Sequence, residues 1–189
     1  MEKIIAEELM TENLFWTIIS NSRKEGKDID SQARSLKLEL KKLSEQELFG
    51  FLYHYYKLSS KSYNGDLWLV PYILLGGCSD DWFDYFRDWL ISRGKAVYYS
   101  ALENPDSICD EFDLISEGDE PTFGGLGYVY REVFEEKFKK DFYKEEDKYD
   151  YGDALNRDEI EFKWSREDEE SMRKICPKTF DKWWNNDRF

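Results

Sequence analysis

Gly76-Gly77-Cys78-Ser79-Asp80-Asp81-Trp82-Phe83-Asp84-Tyr85-Phe86-Arg87-Asp88-Trp89-Leu90-Ile91-Ser92-Arg93-Gly94 reads as one helix with its start and stop written in. Gly76 and Gly77 end what precedes it. Ser79 is an N-cap residue, whose hydroxyl can accept from a free backbone N–H of the first turn. Asp80 and Asp81 put negative charge at the positive end of the helix dipole. Gly94 closes the helix, because glycine tolerates the left-handed conformation beyond a helix end. Trp82, Phe83, Phe86, Trp89 and Leu90 recur at three and four residues and share one face. A helix this aromatic has to be packed on most sides. The expected fold is therefore all-α: a single compact multi-helix domain around one central buried helix, Ser79–Arg93, with little or no strand.

The chain has 189 residues, of which 41% are hydrophobic and 17% aromatic. Each ring buries a large area, so a true core is available despite 36% charged residues. The formal net charge is −14. That field opposes nucleic acid and anionic membrane surfaces, which bind clustered Lys and Arg. A basic protein is the partner it favours. Acids stand at Glu2, Glu7 and Glu8, where a secretory signal would be basic and then apolar. The longest apolar stretch, Leu67 to Leu75, falls well short of the ~20 residues of a membrane helix. Cys78, Cys109 and Cys176 form neither a disulfide framework nor a metal-ligand spacing. A reducing cytoplasm is the expected location, and no cofactor is expected.

Outward from the central helix, the chain punctuates itself into further helices. Thr11 opens one, with Leu14, Phe15, Ile18 and Ile19 inward, and Gly26 ends it. Ser31 to Leu43 follows. Ser44-Glu45-Gln46-Glu47 is a capping box that starts a helix to about Leu58. Pro71 lies inside the apolar run Asp66–Leu75 and predicts a kinked or broken helix there. Lys95–Leu102 is a short helix, and Pro105 begins a further turn with Ile108 and Phe112 inward. Gly124-Gly125-Leu126-Gly127 lacks the residues of a phosphate loop and reads as a hinge before a helix over Tyr128–Phe138. Residues 140–158 alternate Tyr with charges and show no period, which predicts a mobile loop or an extended wrap. Ile160–Trp164 suits a short strand, and Ser165 starts a last helix to about Cys176, with a final turn over Thr179–Trp184. Composition divides the chain into a helical domain, 1–139, and an acidic loop with helical appendage, 140–189.

The run Gly-Gly-Cys-Ser-Asp-Asp-x-Phe-x-Tyr-Phe-Arg-x-Trp-Leu-Ile-x-x-Gly, with Leu67-Trp68 and Tyr72-Ile73 before it, resembles the signature of an uncharacterised bacterial family, domain of unknown function 4240. The Phe15-Trp16 helix, the Ser44 helix and Ala101-Leu102-x-x-Pro105-Asp106 resemble it too. The likeness spans Asn13 to Tyr130. It implies no reaction, because the family has none assigned.

Several residues are candidates for chemistry or binding. Asp80, Asp81 and Asp84 spell Asp-Asp-x-x-Asp, the pattern by which helical enzymes hold magnesium on a diphosphate. A second acidic motif and basic diphosphate contacts are missing from the sequence. Asp80, Asp84 and Asp88 stand four apart, and each like-charge pair of that kind costs ~0.2–0.5 kcal/mol on an isolated helix. Arg87 can relieve Asp84, so a structural ion-pair role is the leading reading. His54 and Cys78 lack an orienting third residue, and Asp80 and Asp81 oppose a Cys78 thiolate. The tract Tyr143–Tyr151, with Tyr149 and Tyr151, offers amphipathic contact area beside acids. The expectation is a non-enzymatic protein-binding domain, immunity- or antitoxin-like, that recognises a basic protein. The alternative is a metal-dependent hydrolase or transferase using Asp80, Asp81 and Asp84. Binding residues on the first reading are Asp80, Asp81, Asp84, Arg87, Asp88, Tyr149 and Tyr151.

Overall fold

The structure, a computed structural model, describes residues 2–25, 28–116, 118–124 and 126–186. Among these residues there are ten α-helices and a two-stranded parallel sheet of two residues per strand, so the fold is all-α. Gly26 and Gly125, given terminator and hinge roles above, lie outside the described residues. The chain divides into two compact units, each made of two stretches: Met1–Ser60 with Gly124–Asn156, and Lys61–Phe123 with Arg157–Phe189. Residues 140–189, grouped together by composition, are shared between the two units.

The first unit contains β1 (Ile4–Ile5), α1 (Glu12–Glu25), α2 (Ile29–Leu40), most of α3 (Glu45–Lys61), α7 (Leu126–Phe138), α8 (Phe142–Glu146) and β2 (Tyr149–Asp150). α1 packs on α2, and α2 on α7. The Ser44 capping box forms as read, with the Ser44 N–H donating to the Glu47 carboxylate at 2.7 Å and the Glu47 N–H to the Ser44 hydroxyl at 3.3 Å. The second helix starts earlier than Ser31, because Asp28 and Ser31 build a capping box of their own. Residues 140–158 are not a featureless loop. Asp141 caps α8, and β2 pairs in parallel with β1 in the register Ile4–Tyr149 and Ile5–Asp150. Tyr149 stacks on Phe49 at a centroid distance of 4.0 Å, and Phe142 packs against Phe49, Tyr130 and Phe134. Long-range pairing and ring burial order this segment, and neither has a local period.

The second unit contains α4 (Gly65–Leu75), α5 (Asp80–Ser92), α6 (Lys95–Glu103), a 3-10 helix (Pro105–Leu114), α9 (Glu169–Ile175) and α10 (Pro177–Trp183). α4 runs unbroken across Pro71, so of the two expected outcomes the break does not occur. Proline removes one backbone bond. Leu67, Leu69, Val70, Pro71, Ile73 and Leu74 are all buried, and packing on several sides offsets that loss. Gly76 (φ 65°) takes the left-handed conformation just past α4, and Gly94, just past α5, has a positive φ of 96° with an extended ψ, which also favours glycine. In α5, Ser79 accepts from the Trp82 N–H as predicted. Its rings form a continuous file: Phe83 to Phe86, Phe86 to Trp89, and Trp89 to Phe112, with centroids 6.4, 5.7 and 5.5 Å apart. Ile160–Trp164 forms no strand; instead Trp164 Nε1–H donates to the Gly65 carbonyl at 2.7 Å. The helix predicted from Ser165 begins at Glu169 with Asp168 as its cap, accepting from the Ser171 N–H at 3.2 Å. Asp106, buried, accepts from the Lys178 and Thr179 N–H groups at 3.0 and 2.8 Å. One carboxylate thus holds the first turn of α10 against the 3-10 helix.

Candidate functional site

The acids of α5 come to different ends. Asp80 and Asp81 are exposed in the first turn, and the Tyr63 hydroxyl donates to Asp80 at 3.1 Å. Asp84 pairs with Arg87 one turn on. Arg87 is 1% exposed, and its guanidinium lies 4.9 Å from the Tyr63 ring centre and 5.1 Å from that of Phe83. Arg157 approaches the Tyr63 ring as well, at 5.0 Å. Cation–aromatic contacts strengthen when the cation is desolvated, so Arg87 is a built-in core element. Asp88 is buried and interacts with its surroundings. The stripe therefore works as a network that seats Arg87 beside Tyr63. Among the described residues no group of three or more His, Cys, Asp or Glu is placed to hold a metal ion.

His54 is 6% exposed, and its Nε2–H donates to the Met10 carbonyl at 2.9 Å. Burial pushes its pKa below the usual imidazole value, against the pull of that carbonyl and of Glu12. Desolvation pushes the Cys78 thiol up to about 12, so it stays protonated at neutral pH and is a poor nucleophile. Burial likewise raises Cys109 and Cys176.

Tyr149 and Tyr151 lie in the core of the first unit, 5% and 7% exposed. They do not form a contact surface: Tyr149 in β2 stacks on Phe49, and Tyr151, just past β2, packs its ring against Tyr56. Desolvation pushes the Tyr149 phenol up to about 12, and Tyr151 is raised for the same reason. In the tract, Tyr143 is the exposed ring, held by the Arg131 guanidinium, whose Nη1–H donates to its hydroxyl at 2.7 Å.

A better-formed surface lies in the second unit, where sequence reading placed nothing. Asn104 joins α6 to the 3-10 helix, and its side chain accepts from the Asp106 N–H at 3.1 Å. The tight turn lays the two elements side by side. Ala96, Val97 and Ser100 of α6 and Ser107, Ile108 and Glu111 of the 3-10 helix line an open groove of about 230 Å³. Each helix contributes residues at i, i+1 and i+4. The α6 residues are small, so a furrow remains between the two backbones. Its volume is below the ~300–1,000 Å³ of small-molecule sites and suits a single side chain. Glu103, Asp110, Asp113, Asp119 and Glu120 are exposed along the same 103–120 stretch, and Leu114 stands among them 71% exposed. Lys182 pairs with Asp113. Lys182 also feels the Asp110 carboxylate, whereas among the described residues Glu103, Asp119 and Glu120 form no ion pair. The charge runs in this segment were visible in sequence. The groove was not, because it depends on how two helices lie together.

No helix among the described residues is long and apolar enough to cross a membrane. Residues 10–136, more than half of the chain, match the family model described as "Protein of unknown function (DUF4240)". No curated protein and no solved structure matches the chain.

Proposed function

We infer that this chain, which belongs to the DUF4240 family of proteins of unknown function, is a non-enzymatic binding protein that recognises a basic protein through an acidic surface. The observation that carries this reading is the set of exposed carboxylates Glu103, Asp110, Asp119 and Glu120 along the same 103–120 stretch as the exposed Leu114. Such a field steers a cationic partner and raises the encounter rate, most strongly at low salt. An exposed leucine among them supplies apolar contact that a merely soluble surface does not need. An immunity- or antitoxin-like role, masking the cationic active site of a toxic enzyme in the bacterial cytoplasm, is the version of this reading that uses both features. Catalysis by Asp80, Asp81 and Asp84 has less support, since Tyr63 engages Asp80 and Arg87 engages Asp84.

The test is a fluorescence-anisotropy titration with a labelled hexa-arginine peptide at low and high salt. Wild type is compared with the variant Glu103→Gln, Asp110→Asn, Asp119→Asn, Glu120→Gln. The expected result is binding that weakens steeply with salt, and at least tenfold with the substitutions. Equal binding by the variant at low salt would sink the reading.

A further inference from the structure

We propose that four rings of the second unit, Trp68, Tyr72, Phe162 and Trp164, form a seat for the trimethylammonium head of a small molecule of the choline type. This goes beyond the acidic-surface reading and does not depend on it. Trp68 and Tyr72 stand one turn apart on α4, and Phe162 and Trp164 two residues apart on the segment that crosses its start. The crossing is close, since a Cβ on Gly65 would collide with the Glu161 carbonyl and press on the Phe162 backbone. Phe162 lies 5.6 Å from Trp68 with an interplanar angle of 69°, and 5.5 Å from Trp164 at 89°. Trp164 lies 4.8 Å from Tyr72 at 54°. Neighbours so steeply inclined make walls, not the flat platform on which a sugar stacks. The walls are open to solvent: Phe162 is 47% exposed and the other three rings are half-buried. The chemistry of the walls selects the occupant. Trp164 and Trp68 spend their indole N–H groups on the Gly65 and Cys78 carbonyls, at 2.7 and 3.2 Å. Both tryptophans therefore offer ring faces, whose negative quadrupole attracts a cation, and no donor for an anion. A primary ammonium or a guanidinium keeps N–H groups that need acceptors, which ring faces supply poorly. A trimethylammonium head carries its charge without any N–H, so ring faces can replace its water. Asp158, Glu159 and Glu161, exposed just before Phe162, form no ion pair among the described residues. Of the nearby cations, Lys163 is taken by Asp66 at 3.1 Å and Arg157 lies over the Tyr63 ring at 5.0 Å. The local field therefore favours a cation. Residues 157–159 and 165–170 are exposed and polar, so the apolar surface ends with the rings. A protein partner needs a wider apolar centre, whereas one head group does not.

The probe is choline, titrated at constant ionic strength with tryptophan fluorescence as the readout. Its uncharged match is the alcohol of the same shape with carbon in place of the nitrogen. The expected result is a saturable change with choline and at least tenfold weaker binding of the alcohol. Glycine betaine, which adds a carboxylate, should bind less tightly than choline because of the neighbouring acids. Phe162→Leu keeps an apolar side chain at an exposed position and removes one ring face. It should weaken choline binding about fivefold, in line with the loss of one cation–aromatic contact. Its far-ultraviolet circular dichroism and melting temperature should stay at wild-type values, which separates a lost contact from a lost fold. Glu159→Gln with Glu161→Gln should weaken binding at low salt and flatten its salt dependence. The absence of a saturable choline response in wild type would overturn the seat. So would equal binding of the neutral alcohol, or unchanged affinity in Phe162→Leu. A peptide bearing trimethyllysine that binds more than tenfold tighter than choline would overturn the small-molecule occupant in favour of a methylated protein. None of these variants alters the 103–120 carboxylates, so the acidic-surface reading stands or falls separately.

Discussion

His54 shows how burial fixes the meaning of a residue that sequence leaves open. A lone histidine among tyrosines could be a base, but its Nε2–H is spent on the Met10 carbonyl and its ring packs 5.8 Å from Phe15. Its pKa is lowered by desolvation. The unfolded chain, with a pKa near ~6.5, therefore binds the proton more readily than the folded one. Stability from this residue is complete above the unfolded value and is lost as pH falls below it through the lowered folded value. The expected outcome is that wild type loses unfolding free energy in urea as pH drops from 7 to 5. In His54→Gln, which keeps a donor for Met10 but cannot titrate, that part of the loss should vanish, although the variant starts less stable. Parallel pH profiles would show that His54 is not desolvated as described. Arg87 teaches the same lesson with the opposite chemistry. It keeps the ion pair with Asp84 that the sequence suggested, and the ring faces of Tyr63 and Phe83 also take it into the core.

Among the elements, those that declare themselves locally were legible, and those that depend on distant partners were not. Ser79, Ser44 with Glu47, Gly76 and Gly94 act within one turn of their own backbone, so their caps follow from residue type alone. The α8–β2 segment takes its order from Phe49 and from β1, both far away in the chain. Its alternating tyrosines and acids then look featureless in sequence. Gly65 is a further case. It opens α4, and a Cβ built on it would collide with the carbonyl of Glu161. The chain leading to Trp164 crosses the helix there, and Lys163 ties it to Asp66 at 3.1 Å. Gly65→Ala should force that crossing away and cost ~1–3 kcal/mol, the usual range for overpacking. The loss should be read as a lower urea midpoint together with changed Trp164 fluorescence. Wild-type values for both would mean that the crossing segment gives way freely. By contrast, Gly76 has open space around its missing Cβ, so only its positive φ resists substitution.

For the molecule as a whole, the decisive fact is that neither unit is a continuous stretch of chain. Composition pointed to a boundary near residue 139, since charge and period both change there. The contacts put the chain ends of each unit together instead: Gly124–Asn156 returns to Met1–Ser60, and Arg157–Phe189 to Lys61–Phe123. A fragment ending at residue 139 therefore damages both units at once. In the first it strips Phe142 and Tyr149 from Phe49 and leaves β1 without a partner. In the second it removes Trp183 from the edge of Phe112 and takes α10 away from the buried Asp106. An uncompensated buried carboxylate and several uncovered rings each cost kilocalories, against a total stability of ~5–15 kcal/mol for an ordinary domain. The fragment 1–139 should keep part of its far-ultraviolet helix signal, lose its near-ultraviolet aromatic signal, and melt without a cooperative transition. A fragment that melts sharply near the full-length temperature would show that residues 140–189 are an appendage after all.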